Sequence, residues 1–190
     1  MPSHVRIIGG HWKRSLLPVP DGDGLRPTPD RVRETLFNWL GQSLTGWRCL
    51  DLFAGSGALG LEAASRGAAR VILVEQSPPV ARSLQDSVRR LKAGEQVQVV
   101  RADAASWLDR NPPLSQDLIL LDPPFKGDWL PRILPRVLPW LAPGGLIYAE
   151  AGFALDDAWL QQHGLPGLAV IRRGRAGQVH YHLLSAQPAP

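Results

Sequence analysis

The chain has 190 residues, 44% hydrophobic and 20% charged, ordinary values for a globular protein and enough for one domain with a real core. Its single cysteine, Cys49, excludes an intrachain disulfide and a cysteine-cluster metal site, and no apolar run reaches the roughly 18 residues of a membrane span. The formal charge is +4, and of 21 basic residues only Lys13, Lys92 and Lys126 are lysines, a bias that suits a polyanionic partner as well as an arginine-rich genome composition.

The first 28 residues read as an arm. Short apolar runs at 5–8 and 12–17, separated by Gly9-Gly10 and His11, predict a hairpin carrying Arg6, Lys13 and Arg14. A turn-rich stretch follows. Thr28-Pro29 predicts a helix start, with Thr28 as N-cap and Pro29 at the first helical position. Val32, Leu36, Trp39 and Leu40 then recur at helical spacing, up to a stop near Gly41.

From there strands and helices alternate. Strands are predicted at 48–53, 70–75, 97–101, 117–122 and 146–150, and helices at 58–67, 79–92, 104–110 and 155–163. Three prolines make 129–141 an irregular helix at best. Runs at 168–173 and 179–184, joined by residues 174–177, predict an antiparallel hairpin that closes the sheet. The expectation is a doubly wound, mostly parallel α/β sheet: an arm at 1–28, a main domain at 29–185 and a flexible tail at 186–190. Met1 to Arg6 show no secretory signal, so a cytoplasmic protein is expected.

Ligands of such sheets bind beyond the carboxyl ends of the strands, where the informative residues fall. After the first sheet strand comes Asp51-Leu52-Phe53-Ala54-Gly55-Ser56-Gly57-Ala58-Leu59-Gly60. Its glycines let backbone pass close beneath a ligand, and Asp51 can accept from a cationic amine. Glu75, followed by Gln76, ends the second strand, where a carboxylate can take both hydroxyls of a ribose. Asp103, followed by Ala104, can accept from an adenine amine or cap the next helix. Gly55 to Gly60 also match the dinucleotide fingerprint G-x-G-x-x-G, which keeps a dehydrogenase open on the loop alone. Against it stands Asp51, since a pyrophosphate gains nothing from a carboxylate there.

The fourth strand ends in Asp122-Pro123-Pro124-Phe125, which decides the class. An exocyclic base amine is a poor nucleophile because its lone pair is delocalised into the ring. Acceptors on both its N–H groups, here the Asp122 carboxylate and the Pro123 carbonyl, help it pyramidalise. Pro123 and Pro124 hold the backbone rigid, and Phe125 offers a face on which an extruded base stacks. In isolation Asp-Pro-Pro marks a turn; at the end of a buried strand, after a glycine loop and Glu75, it points to methyl transfer.

With these residues assembled, the chain resembles the class I S-adenosylmethionine-dependent amino-methyltransferases and, more narrowly, the bacterial small-subunit (16S) rRNA guanine-N2 methyltransferase family. The likeness runs from Arg6-Ile7-Ile8-Gly9-Gly10 to Gln178-Val179-His180-Tyr181. It is most specific in Arg26-Pro27-Thr28-Pro29-Asp30-Arg31-Val32-Arg33-Glu34-Thr35-Leu36-Phe37-Asn38, in Asp51 to Gly60, in the tetrapeptide and in Ala176-Gly177-Gln178-Val179. The resemblance implies a Rossmann-like seven-stranded sheet, S-adenosylmethionine as cofactor, and 16S rRNA in the small subunit or its assembly intermediate as partner. It implies Thr28, Asp51, Phe53, Ala54, Gly55, Ser56, Gly57, Glu75, Gln76, Asp103 and Ala104 around the cofactor. The segment at Arg26-Pro27-Thr28 would close over the cofactor's amino-acid part. The family often has an Asn in the helix after the second strand, where this chain has Gln85-Asp86-Ser87-Val88-Arg89. Guanine as the target rests on this resemblance, since the tetrapeptide serves adenine and guanine amines alike.

Arg6, Lys13, Arg14 and Arg26 on the arm, and Arg172, Arg173 and Arg175 on the closing hairpin, are the expected phosphate contacts. The seven tryptophans read mostly as core, with Trp12 and Trp129 the candidates for base stacking. The five histidines show no zinc pattern, so no metal is expected, and a monomer is the default. Two other functions share these features. A DNA adenine-N6 methyltransferase uses the same catalytic residues but usually carries a target-recognition insert, and a non-catalytic RNA-assembly factor would have no use for an intact tetrapeptide.

Overall fold

The computed structural model describes residues 3–20 and 28–186. Arg26 and the tail at 187–190 lie outside the described residues. The chain divides after Ala104 into two compact units.

The first unit opens with an antiparallel hairpin, β1 (Ser3–Arg6) and β2 (Leu16–Val19), in register Arg6↔Leu16. Both strands are displaced from the predicted runs, because residues 7–15 form a turn that grips its neighbour. In the turn Gly10 has φ +76°, and a Cβ there would lie 1.9 Å from the Ser65 carbonyl oxygen, so only glycine allows this approach. Helix α1 (Asp30–Trp39) follows. Its N-cap is Pro29 without a side-chain cap bond, which corrects the expectation of Thr28 as N-cap. Gly41, with φ +87°, ends it as predicted.

The unit continues through β3 (Arg48–Asp51), α2 (Gly60–Ser65), β4 (Arg70–Glu75), α3 (Pro78–Arg90) and β5 (Val97–Arg101). β3 pairs parallel with β4, and β4 with β5. β4 and β5 match their predicted bounds, whereas α2 is shorter than expected because residues 52–59 form the loop described below. Every residue of α2 is buried, and a Cβ on Gly60 would lie 2.2 Å from Leu73 Cδ2, so the glycine seats the helix on β4.

After α4 (Ala104–Arg110), the second unit holds β6 (Gln116–Leu121), α5 (Trp129–Val137), β7 (Leu141–Ala151), α6 (Asp157–Gln162), β8 (Leu168–Ala176) and β9 (Val179–Ala186). Residues 118–121 of β6 are fully buried, as a parallel strand covered on both faces requires. The proline-rich segment is a regular helix up to Val137, followed by the 3-10 turn Leu138–Trp140. β7 is parallel to β6 and antiparallel to β9. β8 and β9 meet at a two-residue loop, Gly177-Gln178, rather than the predicted four; Gly177 has φ +61°, as at the first central position of a type II′ turn.

The seven strands follow the order β5-β4-β3-β6-β7-β9-β8. This is the doubly wound, mostly parallel Rossmann-like sheet with an antiparallel C-terminal hairpin. The tryptophans depart from expectation: among the described residues Trp140 alone is buried, while the other six are half-buried. No helix among the described residues is long and apolar enough to cross a membrane.

Candidate active site

In the first unit the loop after β3 is held from inside. Asp51 is 1% exposed; its Oδ1 accepts from the Phe53 amide at 3.3 Å and its Oδ2 from the Gly60 amide at 3.1 Å. One carboxylate thus brackets the loop and the start of α2. Gly55 and Gly57 have φ +52° and +82°, and a Cβ on Gly57 would lie 2.7 Å from both Leu61 and Leu84. Both positions favour glycine, Gly57 for its contacts as well as its backbone. Ala54, Ser56 and Gly57 are buried and Phe53 is half-buried.

Glu75, at the end of β4, is half-buried and turned to the same loop. Its Oε2 accepts from the Gly55 amide at 3.0 Å and its Oε1 from the Ser77 amide at 2.7 Å. Two backbone donors orient the carboxylate, which has about four acceptor sites in all. Gln76 is exposed, Asp103 is half-buried beyond β5, and Ala104 is buried at the start of α4. Asp51, Gly55 and Glu75 are therefore brought together.

Two residues that sequence reasoning left without a role organise the N-terminal side. Glu62 of α2 is 0% exposed and accepts from the Ile8 and Gly9 amides, both at 2.8 Å. It is also ion-paired with Arg66 at 2.8 Å and with Arg33 at 3.4 Å. Arg33, equally buried, donates to the carbonyls of Arg6 at 2.9 Å and Thr28 at 3.3 Å and pairs with Asp30 at 2.6 Å. Buried charges of both signs are thus paired, and arm, Thr28 and α2 share one network. Thr28 itself is buried.

In the second unit Asp122 follows β6 and is half-buried, Pro123 is buried, and Phe125 is 52% exposed. Pro123, Pro124 and Phe125, with Trp129, Glu150 and Phe153, line a cleft of about 280 Å³. Arg132 lies over the Trp129 ring, 5.2 Å from its centre. β6 and β7 run in register Leu120↔Tyr148 and Leu121↔Ala149, so Asp122 and Glu150 are the next residues on neighbouring strand ends. The Tyr148 hydroxyl donates to Glu150 Oε1 at 2.8 Å. Burial, and then the Glu150 carboxylate, hold the Tyr148 hydroxyl well above its ordinary pKa, so it remains a donor.

His182 of β9 packs behind this strand end. Its Nε2 accepts from the Leu155 amide at 2.9 Å and its Nδ1 faces the Ala149 carbonyl at 3.2 Å, a pairing that requires the neutral ring. Burial lowers its pKa to about 4. Arg6, Lys13 and Arg14 are exposed on the arm, and Arg172, Arg173 and Arg175 on β8.

The family model described as Conserved hypothetical protein 95 matches residues 5–185. Ribosomal RNA small subunit methyltransferase D of Escherichia coli (strain K12) is 44% identical over 185 residues, covering 94% of this chain and 88% of its own. The solved structure of a putative methyltransferase from Escherichia coli superposes with a TM-score of 0.85 at 40% identity, covering 98% of this chain and 100% of that one. A putative methyltransferase complexed with SAH shares the fold at a TM-score of 0.69 and 18% identity, covering 89% of this chain and 52% of that one. With the glycine loop, Glu75 and the tetrapeptide at strand ends of this sheet, the chain belongs to the bacterial small-subunit ribosomal RNA methyltransferase family.

Proposed function

We propose that this protein transfers a methyl group from S-adenosylmethionine to the exocyclic N2 of a guanine in 16S rRNA, presented in the small ribosomal subunit or an assembly intermediate. The observation that carries the reading is the cleft at the end of β6, lined by Pro123, Pro124 and Phe125 beside the half-buried Asp122. Guanine and the subunit come from the family likeness.

The residues present fit the cofactor. Glu75 is an oriented carboxylate of the kind a ribose diol needs, and Gly55 and Gly57 keep the loop free of side chains. When bound, S-adenosylmethionine supplies an electrophilic methyl on its sulfonium. Asp122 and the Pro123 carbonyl accept from the two N–H groups of the amine, Asp122 stands to receive the proton, and Phe125 stacks on the base. Rate enhancement then comes mostly from positioning and fixed dipoles. Exposed Arg6, Lys13, Arg14, Arg172, Arg173 and Arg175 contact phosphates in this reading. So does Arg26.

Exchanging Asp122 for Ala tests the assignment. Turnover is expected to fall about 10²- to 10⁴-fold, the usual range for a lost acid–base group. Cofactor affinity, read by calorimetry, is expected to stay within about twofold, since a group acting on the amine contributes little to cofactor binding. A variant that turns over normally contradicts the assignment.

A further inference from the structure

Glu150 was singled out by no sequence motif, yet it is a buried acidic residue, 2% exposed, among those that line the cleft. Two features fix it there. The Tyr148 hydroxyl donates to Oε1 from the same strand face, two residues back. The register of β6 against β7 ends at Leu121↔Ala149, so its continuation by one residue sets Glu150 opposite Asp122, where neighbouring strands lie about 4.8 Å apart. The Asp122 charge is also among the causes that raise the Tyr148 hydroxyl, which puts the three groups in one neighbourhood.

A carboxylate next to the amine acceptor has a definite preference among bases. In guanine two ring nitrogens flank the C2 amine, N1–H, a donor, and N3, an acceptor; the edge at issue is the N1 side. In adenine the ring nitrogen flanking the C6 amine is N1, an acceptor. A fixed carboxylate on the N1 side bonds guanine and repels adenine.

We propose that Glu150 is the specificity-determining residue of the cleft, accepting from guanine N1–H while Asp122 accepts from N2, and thereby excluding adenine. The proposal rests on the base-amine methyltransferase reading above and adds the reason for guanine. The cleft, at about 280 Å³, is just under the ~300 Å³ lower end of small-molecule pockets, room for one planar base between Phe125 and the β7 end.

The test uses 2-aminopurine, which keeps the C2 amine of guanine but has an acceptor at N1. Once the modified guanine is mapped, small subunits are reconstituted with guanine or 2-aminopurine at that position, and methyl transfer is measured for each. The unaltered protein is expected to prefer guanine by about tenfold to hundredfold, the value of one good bidentate pair. Glu150→Gln offers an amide that can donate to N1, so the preference is expected to shrink by about tenfold or more. Tyr148→Phe, which releases the carboxylate, is expected to shrink it in the same direction and decides the matter if Glu150→Gln does not fold. An unchanged ratio, including equal loss on both bases, overturns the proposal. Absence of N2-methylguanosine with the unaltered protein instead overturns the methyltransferase reading on which it rests.

Discussion

At the scale of single residues, the network around Glu62 gives the clearest stability prediction. Glu62 and Arg33 are both fully buried, and Arg33 reaches Glu62, Asp30 and the backbone carbonyls of Arg6, Thr28 and Ala58. Glu62→Gln keeps the shape but leaves buried guanidinium charge without its buried partner. Breaking such a pair costs about 3–5 kcal/mol. For a chain of this size the melting temperature is expected to fall by roughly 6–20 °C in a calorimetric scan. A shift of under about 2 °C would mean that Asp30 and the carbonyls suffice for Arg33.

Neither member of this pair was legible beforehand, for a physical reason. A charged residue in an amphipathic helix reads as solvent face, and only the tertiary approach of the arm to α2 makes Glu62 internal. Gly55, Gly57 and Glu75 were legible because their chemistry is local: positive φ in a tight loop and a carboxylate at a strand end. Asp51 stood out in the sequence as a carboxylate at a strand end, but its bonds to the Phe53 and Gly60 amides could not be seen there.

At the scale of elements, the alternating pattern carried most of the sheet. β4 and β5 match their predicted bounds because they are continuous apolar or alternating runs between clear breakers. The arm was predicted as a hairpin with its strands several residues out of place. Its turn is shaped by Ser65, whose carbonyl accepts from the His11 amide at 2.7 Å and whose hydroxyl donates to the Gly9 carbonyl at 2.6 Å. Such long-range partners leave no periodicity to read. The segment at 129–141 errs the other way, since Pro131 lies in the first turn of α5 and Pro135 is tolerated inside it.

The arm hairpin presents Lys13 and Arg14 to solvent. If they neutralise phosphates, replacing both by Ala should lower the slope of log affinity against log salt by about 1.4–1.8, at roughly 0.7–0.9 per phosphate contact. Filter binding of 16S rRNA over a salt series reads this directly, with cofactor affinity unchanged. An unchanged slope would assign these side chains to solvent and move the phosphate contacts elsewhere.

At the scale of the molecule, the sheet order β5-β4-β3-β6-β7-β9-β8 leaves the candidate residues of each unit at carboxyl strand ends. In the first unit these are the loop after β3 and Glu75 at the end of β4. In the second they are Asp122 after β6 and Glu150 near the end of β7. A dehydrogenase would share the first set and have no use for the second. The cleft lined by Phe125, Trp129 and Glu150 is where the proposed reading places a flat, donor-bearing base. The class of reaction was legible from the tetrapeptide, whereas Glu150 required the register of β7 against β6, which no pattern along a single chain reveals.

The central claim, methylation of a guanine amine in small-subunit rRNA, is tested most directly by methyl transfer from labelled S-adenosylmethionine. Three substrates are compared: naked 16S rRNA, small subunits lacking the modification, and duplex DNA, each digested to nucleosides afterwards. The predicted result is label in N2-methylguanosine, strongest on the subunits. Label in N6-methyladenine from DNA, or none on any substrate, would contradict it.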